Sequence, residues 1–161
     1  MIWGHGRVGK HLHRLAEPMF RIVWFIAEND SDEYINNLLS KTDVLAITMS
    51  VVGTQPVVSE EKLAKLPRGA IVVNTARSEV LDQRALLRLL NIGHLRAAGL
   101  DVLENDHRFL YQGYDWQARE VLNYAFKHDN LILTPHIAGS TEDAWNETQR
   151  YVIDRVMEIL S

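Results

Sequence analysis

Six short apolar, β-branched runs alternate with helical stretches along the chain, and this rhythm limits the fold more than any other feature. The runs lie at Ile2-Trp3, Arg21 to Ile26, Asp43 to Thr48, Ala70 to Asn74, Arg96 to Val102 and Leu131 to Thr134. Helical patterns fall between and after them, at about Arg7 to Ala16, Ser31 to Leu39, Ser59 to Lys65, Asp82 to Leu90 and Ser140 to Leu160. Strand, helix and strand in succession imply right-handed βαβ crossovers. The expected fold is therefore a doubly wound α/β domain, a parallel sheet with helices on both faces and ligand sites at the carboxyl ends of its strands.

Ser59 ahead of Glu60 and Glu61, and Ser140 ahead of Glu142 and Asp143, read as capping hydroxyls followed by first-turn acids. The last helix is amphipathic, with Trp145, Tyr151, Val152, Val156 and Ile159 available to cover one sheet face. Asn105 to Asp129 breaks the rhythm with Tyr111, Tyr114 and Trp116 and then a helix over Trp116 to Phe126. It reads either as an excursion over the sheet or as a dimer surface.

A chain of 161 residues suits one well-buried core, so a single domain is expected. No apolar run approaches the ~20 residues of a membrane span, and no membrane contact is expected. Met1-Ile2-Trp3-Gly4 is neither charged nor a long apolar run, so no secretory signal is expected there. Cysteine is absent, which excludes disulfides, thiol catalysis and thiolate metal sites and agrees with a reducing cytoplasm. The net charge is −4 with Lys and Arg scattered among acids, which argues against a nucleic-acid partner. The histidines show no metal-ligand spacing, and no metal site is expected.

Gly4-His5-Gly6-Arg7-Val8-Gly9 reads G-x-G-x-x-G where a strand should pass into a helix. The first glycine permits a tight turn, the second lets backbone approach a pyrophosphate, and the third lets helix and strand pack closely. The helix start, with Arg7 and Val8, then offers N–H groups and partial positive charge to the phosphates. This makes the fold Rossmann-like. Only Met1, Ile2 and Trp3 precede the loop, so the first strand looks cut short. Ala27 stands where the second strand would normally end in a ribose-binding acid; Glu28 and Asp30 are the neighbours able to replace it. No Arg follows closely to meet a 2′-phosphate, which favours NAD over NADP.

Three downstream segments each run from a strand into polar residues: Val72-Val73-Asn74-Thr75-Ala76-Arg77, Gly99-Leu100-Asp101-Val102-Leu103-Glu104-Asn105-Asp106, and Leu133-Thr134-Pro135-His136-Ile137-Ala138-Gly139. In that order they resemble the N-x-x-R, D-V-x-E-x-E-P and T-P-H-x-A/G signatures of the D-isomer-specific 2-hydroxyacid dehydrogenases, a family that includes phosphoglycerate dehydrogenase-like enzymes. The resemblance covers nearly the whole chain. It implies hydride transfer between NAD and a small 2-hydroxy or 2-keto acid, and homodimers formed through this half of the enzyme. It also implies a separate substrate domain, so residues 1–161 are expected to be the dinucleotide-binding domain alone. Weak NAD(H) binding and slow or absent turnover are the expectation for such a half.

The chemistry suits these residue types. An alkoxide develops as hydride reaches a 2-keto acid, and His136 can supply the proton near neutral pH. Arg77 can pair with the substrate carboxylate as a bidentate fork. A carboxylate beside His136 would orient it, and the resemblance puts that role on Asp106, where the family has Glu; Glu104 is the alternative. By the same resemblance Thr75, Ala76, Asp101 and Gly139 line the nicotinamide end, although Asp101 also reads as a simple turn cap. Ser78, where the family has Gly, and Met49-Ser50-Val51, where it has a Pro-containing loop, depart from the pattern. A catalytically silent dinucleotide-binding or scaffold module remains the second reading. Methyl transfer on the same glycine loop would leave Arg77 and His136 unexplained.

Overall fold

The apolar runs become β1 (Ile2–Trp3), β2 (Phe25–Ile26), β3 (Val44–Ile47), β4 (Ala70–Asn74), β5 (Leu95–Leu100) and β6 (Leu131–Leu133). The computed structural model describes residues 1–27, 29–50, 56–104 and 116–160. Within them the helices are α1 (Arg7–Ala16), α2 (Asp32–Leu39), α3 (Glu60–Ala64), α4 (Gln83–Asn91), α5 (Trp116–Ala125) and α6 (Glu142–Leu160), with a 3-10 turn at Ser78–Val80.

The strands form one sheet in the order β2-β1-β3-β4-β5-β6, and every pairing is parallel. The chain leaves β1 to one side to make β2 and returns to the other side to make β3. That reversal opens a crevice above the carboxyl end of β1, where doubly wound folds bind their ligands.

Right-handed crossovers put α1 on one face of the sheet and the helices after β2 on the other. Burial follows that division. Leu45, Ile47 and Val72 are sealed beneath the helical layer, whereas Val44, Ala46, Ile71 and Val73, which alternate with them, are only half-buried. Leu38, Leu39, Leu63, Leu86, Leu89, Leu90, Ala118 and Val121 from α2 to α5 close the first face. Asp82 caps α4 by accepting from the Ala85 N–H at 2.9 Å, and Ser31 caps α2 by accepting from the Tyr34 N–H at 3.2 Å.

Four expectations need correction. The run Arg21 to Ile26 gives only a two-residue strand, because Arg21 and Ile22 lie exposed at the sheet edge. Ser59 stands at the N-cap of α3 but its hydroxyl makes no cap hydrogen bond. At α6 it is Thr141, not Ser140, whose hydroxyl accepts from the Ala144 N–H, at 3.2 Å. The apolar stripe of α6 does not cover the sheet: Trp145 and Tyr151 are 58% and 60% exposed, and Val152, Val156 and Ile159 are exposed as well. The helix instead crosses toward the start of α1, where the Arg7 guanidinium lies 5.7 Å from the Tyr151 ring centroid.

Candidate active site at the carboxyl edge of the sheet

Because all strands run the same way, the residues that follow them collect on one edge: Gly4 after β1, Ala27 after β2, Thr48 after β3, Thr75 after β4, Asp101 after β5 and Thr134 after β6. The sequence-level candidates are thus assembled along a line, with the glycine loop towards one end and the Arg77 and His136 segments towards the other.

Gly4 is fixed between two strands. Its N–H donates to the Ile26 carbonyl at 3.0 Å, and the Thr48 hydroxyl donates to its carbonyl at 3.0 Å. At φ +124°, a Cβ there would lie 2.6 Å from the Met49 nitrogen, so the turn tolerates only glycine. Gly9, buried in α1, is equally constrained, since its Cβ would fall 1.9 Å from the Gly4 carbonyl oxygen. Gly6 differs. A Cβ on it would meet nothing within 4 Å, although Gly6 stands at the N-cap of α1, where no side chain caps the helix and no acid occupies the first turn. A bare, unblocked helix start with room above it fits a phosphate group. Arg7 and Val8, both exposed, flank that opening.

The adjoining cleft has a volume of about 530 Å³ and is bordered by Gly4, Gly6, Ala27, Asp30, Asp32 and Lys62, among others. Asp30 turns back on the end of β2, its Oδ2 accepting from the Ala27 N–H at 2.8 Å. Glu28 lies outside the described residues.

Beyond β4, the buried Asn74 shapes the Arg77 turn. Its Oδ1 accepts from the Ala76 N–H at 3.0 Å and its Nδ2 donates to the Arg77 carbonyl at 2.9 Å. Thr75 and Arg77 are exposed and Ala76 half-buried. The Arg77 guanidinium donates to the Ala76 carbonyl at 2.8 Å, and it pairs with no carboxylate among the described residues.

Beyond β5, Asp101 is 4% exposed and its carboxylate gathers the next segment. Oδ1 accepts from the Thr134 hydroxyl at 2.5 Å and the Ile137 N–H at 3.0 Å, and Oδ2 accepts from the Ala138 N–H at 2.9 Å. Burial opposes ionisation, but these donors and the nearby His136 outweigh it and hold the Asp101 carboxyl below the ordinary aspartate range. His136 sits inside this loop at φ 54°, a left-handed conformation that costs a non-glycine residue about 1–2 kcal/mol. Hydrogen bonds to an ionised acceptor contribute about 1.5–3 kcal/mol each, enough to hold the loop in that shape. Gly139 follows, exposed and open on its Cβ side.

Asp106 lies outside the described residues. Glu104 is half-buried, and its Oε1 accepts from Gln117 Nε2 at 3.2 Å. No group of three or more His, Asp or Glu that could hold a metal ion occurs among the described residues, and no helix among them is long and apolar enough to cross a membrane.

Sequence reasoning missed the supports. Asn74 and Thr134 lie inside the motifs yet have no role there, although a polar residue ending an apolar strand is a usable signal. The pairing of Lys62 with Asp32 leaves no local trace.

Comparison with known proteins agrees with this layout. The chain is 31% identical to D-3-phosphoglycerate dehydrogenase of Haemophilus influenzae over 152 residues, covering 89% of this chain and 35% of that protein. It is also 31% identical to glyoxylate reductase of Pyrococcus furiosus over 154 residues, covering 89% of this chain and 42% of that one. It thus spans well under two thirds of the relatives it matches. D-lactate dehydrogenase of Aquifex aeolicus, solved with NAD and lactic acid, shares the fold with a TM-score of 0.83 at 23% identity, over 99% of this chain and 52% of that one. Residues 1–138 match the profile described as D-isomer specific 2-hydroxyacid dehydrogenase, NAD binding domain, and the chain belongs to that NAD-binding family.

Proposed function

We propose that residues 1–161 are one dinucleotide-binding domain of an oxidoreductase that moves hydride between NAD and C2 of a small 2-hydroxy or 2-keto acid. The observation that carries this reading is the shared sheet edge: an open glycine at a bare helix start on β1, and an arginine and a histidine held by buried Asn74 and Asp101 on β4 and beyond β6.

Backbone N–H groups of Gly6, Arg7 and Val8 would hold the pyrophosphate, with Gly4 and Gly9 keeping the loop's shape. Glu28 or Asp30 would take the adenosine ribose, and Thr75, Ala76, Asp101 and Gly139 would border the nicotinamide. When bound, the nicotinamide gives or accepts the hydride. Arg77 would turn from the Ala76 carbonyl to clamp the substrate carboxylate and polarise its neighbouring carbonyl. His136 would donate a proton to the oxygen that becomes the hydroxyl, and accept it in reverse. Asp106 is the carboxylate assigned to orient His136; the bond from Gln117 to Glu104 favours Asp106 over Glu104.

Self-association as a homodimer is supported by the apolar residues exposed on α6 and by the half-covered sheet face. The lack of cysteine favours a cytoplasmic setting.

An absorbance assay with NADH and a panel of short 2-keto acids tests the reading. Slow or no turnover is expected of this half; whatever turnover is measured should vanish in His136→Ala and be impaired chiefly in KM by Arg77→Ala. Turnover indifferent to both changes contradicts the assignment, and no NADH binding at millimolar concentration would favour a catalytically silent scaffold.

A further inference from the structure

The cleft beside the glycine loop contains an ion pair with no part in the scheme above. Lys62 on α3 reaches Asp32, the first residue of α2, with Nζ to Oδ1 at 2.5 Å. The same ammonium lies 5.4 Å from the ring centroid of Trp3, the residue just before the glycine loop, and Trp3 pairs in register with Ile26 at the end of β2. Lys62 is therefore held over the ends of β1 and β2, where a bound dinucleotide places its adenosine ribose. It is the one lysine or arginine bordering the cleft among the described residues, and it is 19% exposed. Asp30 borders the same space and commits only Oδ2 to the Ala27 N–H among the described residues.

We propose that the Asp32–Lys62 pair sets cofactor choice, keeping the cleft selective for NAD over NADP by occupying the one lysine or arginine that borders it among the described residues. This rests on the dinucleotide reading of the cleft. With Lys62 neutralised, a 2′-phosphate would face Asp30 and Asp32 without an available counter-charge. An unphosphorylated ribose needs only an acceptor for its hydroxyl, and Asp30 Oδ1 supplies one. Selectivity then comes from a repulsive arrangement as much as from an attractive one. Asp32 is 81% exposed, so replacing it removes charge without opening the core.

The test compares dissociation constants for NADH and NADPH, measured by calorimetry on the full chain, in the wild type, Asp32→Asn and Asp32→Asn/Lys62→Met. The wild type is expected to favour NADH. Asp32→Asn should move the NADH-to-NADPH preference toward NADPH by about tenfold, the worth of one charge-assisted hydrogen bond, and added salt should weaken the gain. Lys62→Met in the same background should cancel it. An unchanged preference in Asp32→Asn, or a gain that survives loss of Lys62, overturns the proposal while leaving the dinucleotide reading intact. Binding of neither nucleotide by the wild type overturns both.

Discussion

The Asp101 carboxylate and the Ala138 backbone N–H meet at 2.9 Å, and with the Thr134 hydroxyl and the Ile137 N–H this bond ties the end of β5 to the loop that carries His136. Asn at position 101 would keep one acceptor oxygen and turn an amide towards N–H groups. Asp101→Asn should therefore cost about 2–3 kcal/mol of stability. Denaturant melts would measure that loss, and faster exchange of the Ile137 and Ala138 amides would locate it. A variant as stable as wild type with both amides still protected would remove Asp101 from this role.

The same carboxylate imposes a pH dependence. Its folded-state pKa is depressed, so the unfolded chain binds the Asp101 proton more readily than the folded one. The stabilisation is fully present above the unfolded aspartate value of about 4 and is lost as pH falls through the lower folded value. Melting temperature measured against pH should fall more steeply on the acid side in wild type than in Asp101→Asn. Parallel curves would mean the donors around Asp101 do not hold it ionised.

Asn74 offers a separate handle on Arg77. Asn74→Ala would leave the Ala76 N–H and the Arg77 carbonyl without their buried partner, at a cost of about 1–3 kcal/mol. In whatever turnover is measured, it should also raise KM for a 2-keto acid more than it lowers kcat, because the lost order falls on Arg77, the proposed carboxylate clamp. A drop in kcat alone would put Asn74 in another role.

Local chemistry made much of this readable in advance. The elements Arg7–Ala16 and Ala70–Asn74 were bounded by Gly6 and by the change from apolar residues to Asn74 and Thr75, and the structure places both where that pattern put them. Tertiary pairing was not readable. Asp101 bonds to residues 33 to 37 positions later, and Lys62 to one 30 positions earlier, so no window of sequence shows either contact. Helix α6 follows the same limit: its pattern reports an apolar face but not what that face meets, and Trp145 and Val152 are exposed.

Two glycines of one motif separate folding from binding. A methyl group at Gly9 would strike the Gly4 carbonyl at 1.9 Å, so Gly9→Ala should lower the melting temperature whether or not cofactor is present. Retention of wild-type melting in that variant would contradict the close packing of α1 on the loop.

Gly6 carries the central claim, since its side-chain space is open in the protein and is filled only if a dinucleotide lies there. Calorimetric titration of NADH into wild type and Gly6→Val, with melting temperatures recorded for both, is the most direct measurement. Saturable binding to wild type, and its loss in a variant that still unfolds cooperatively with a melting temperature lowered only by its weaker N-cap, is the predicted result. Equal binding by both proteins, or no binding by wild type at millimolar NADH, would contradict a pyrophosphate site at the start of α1.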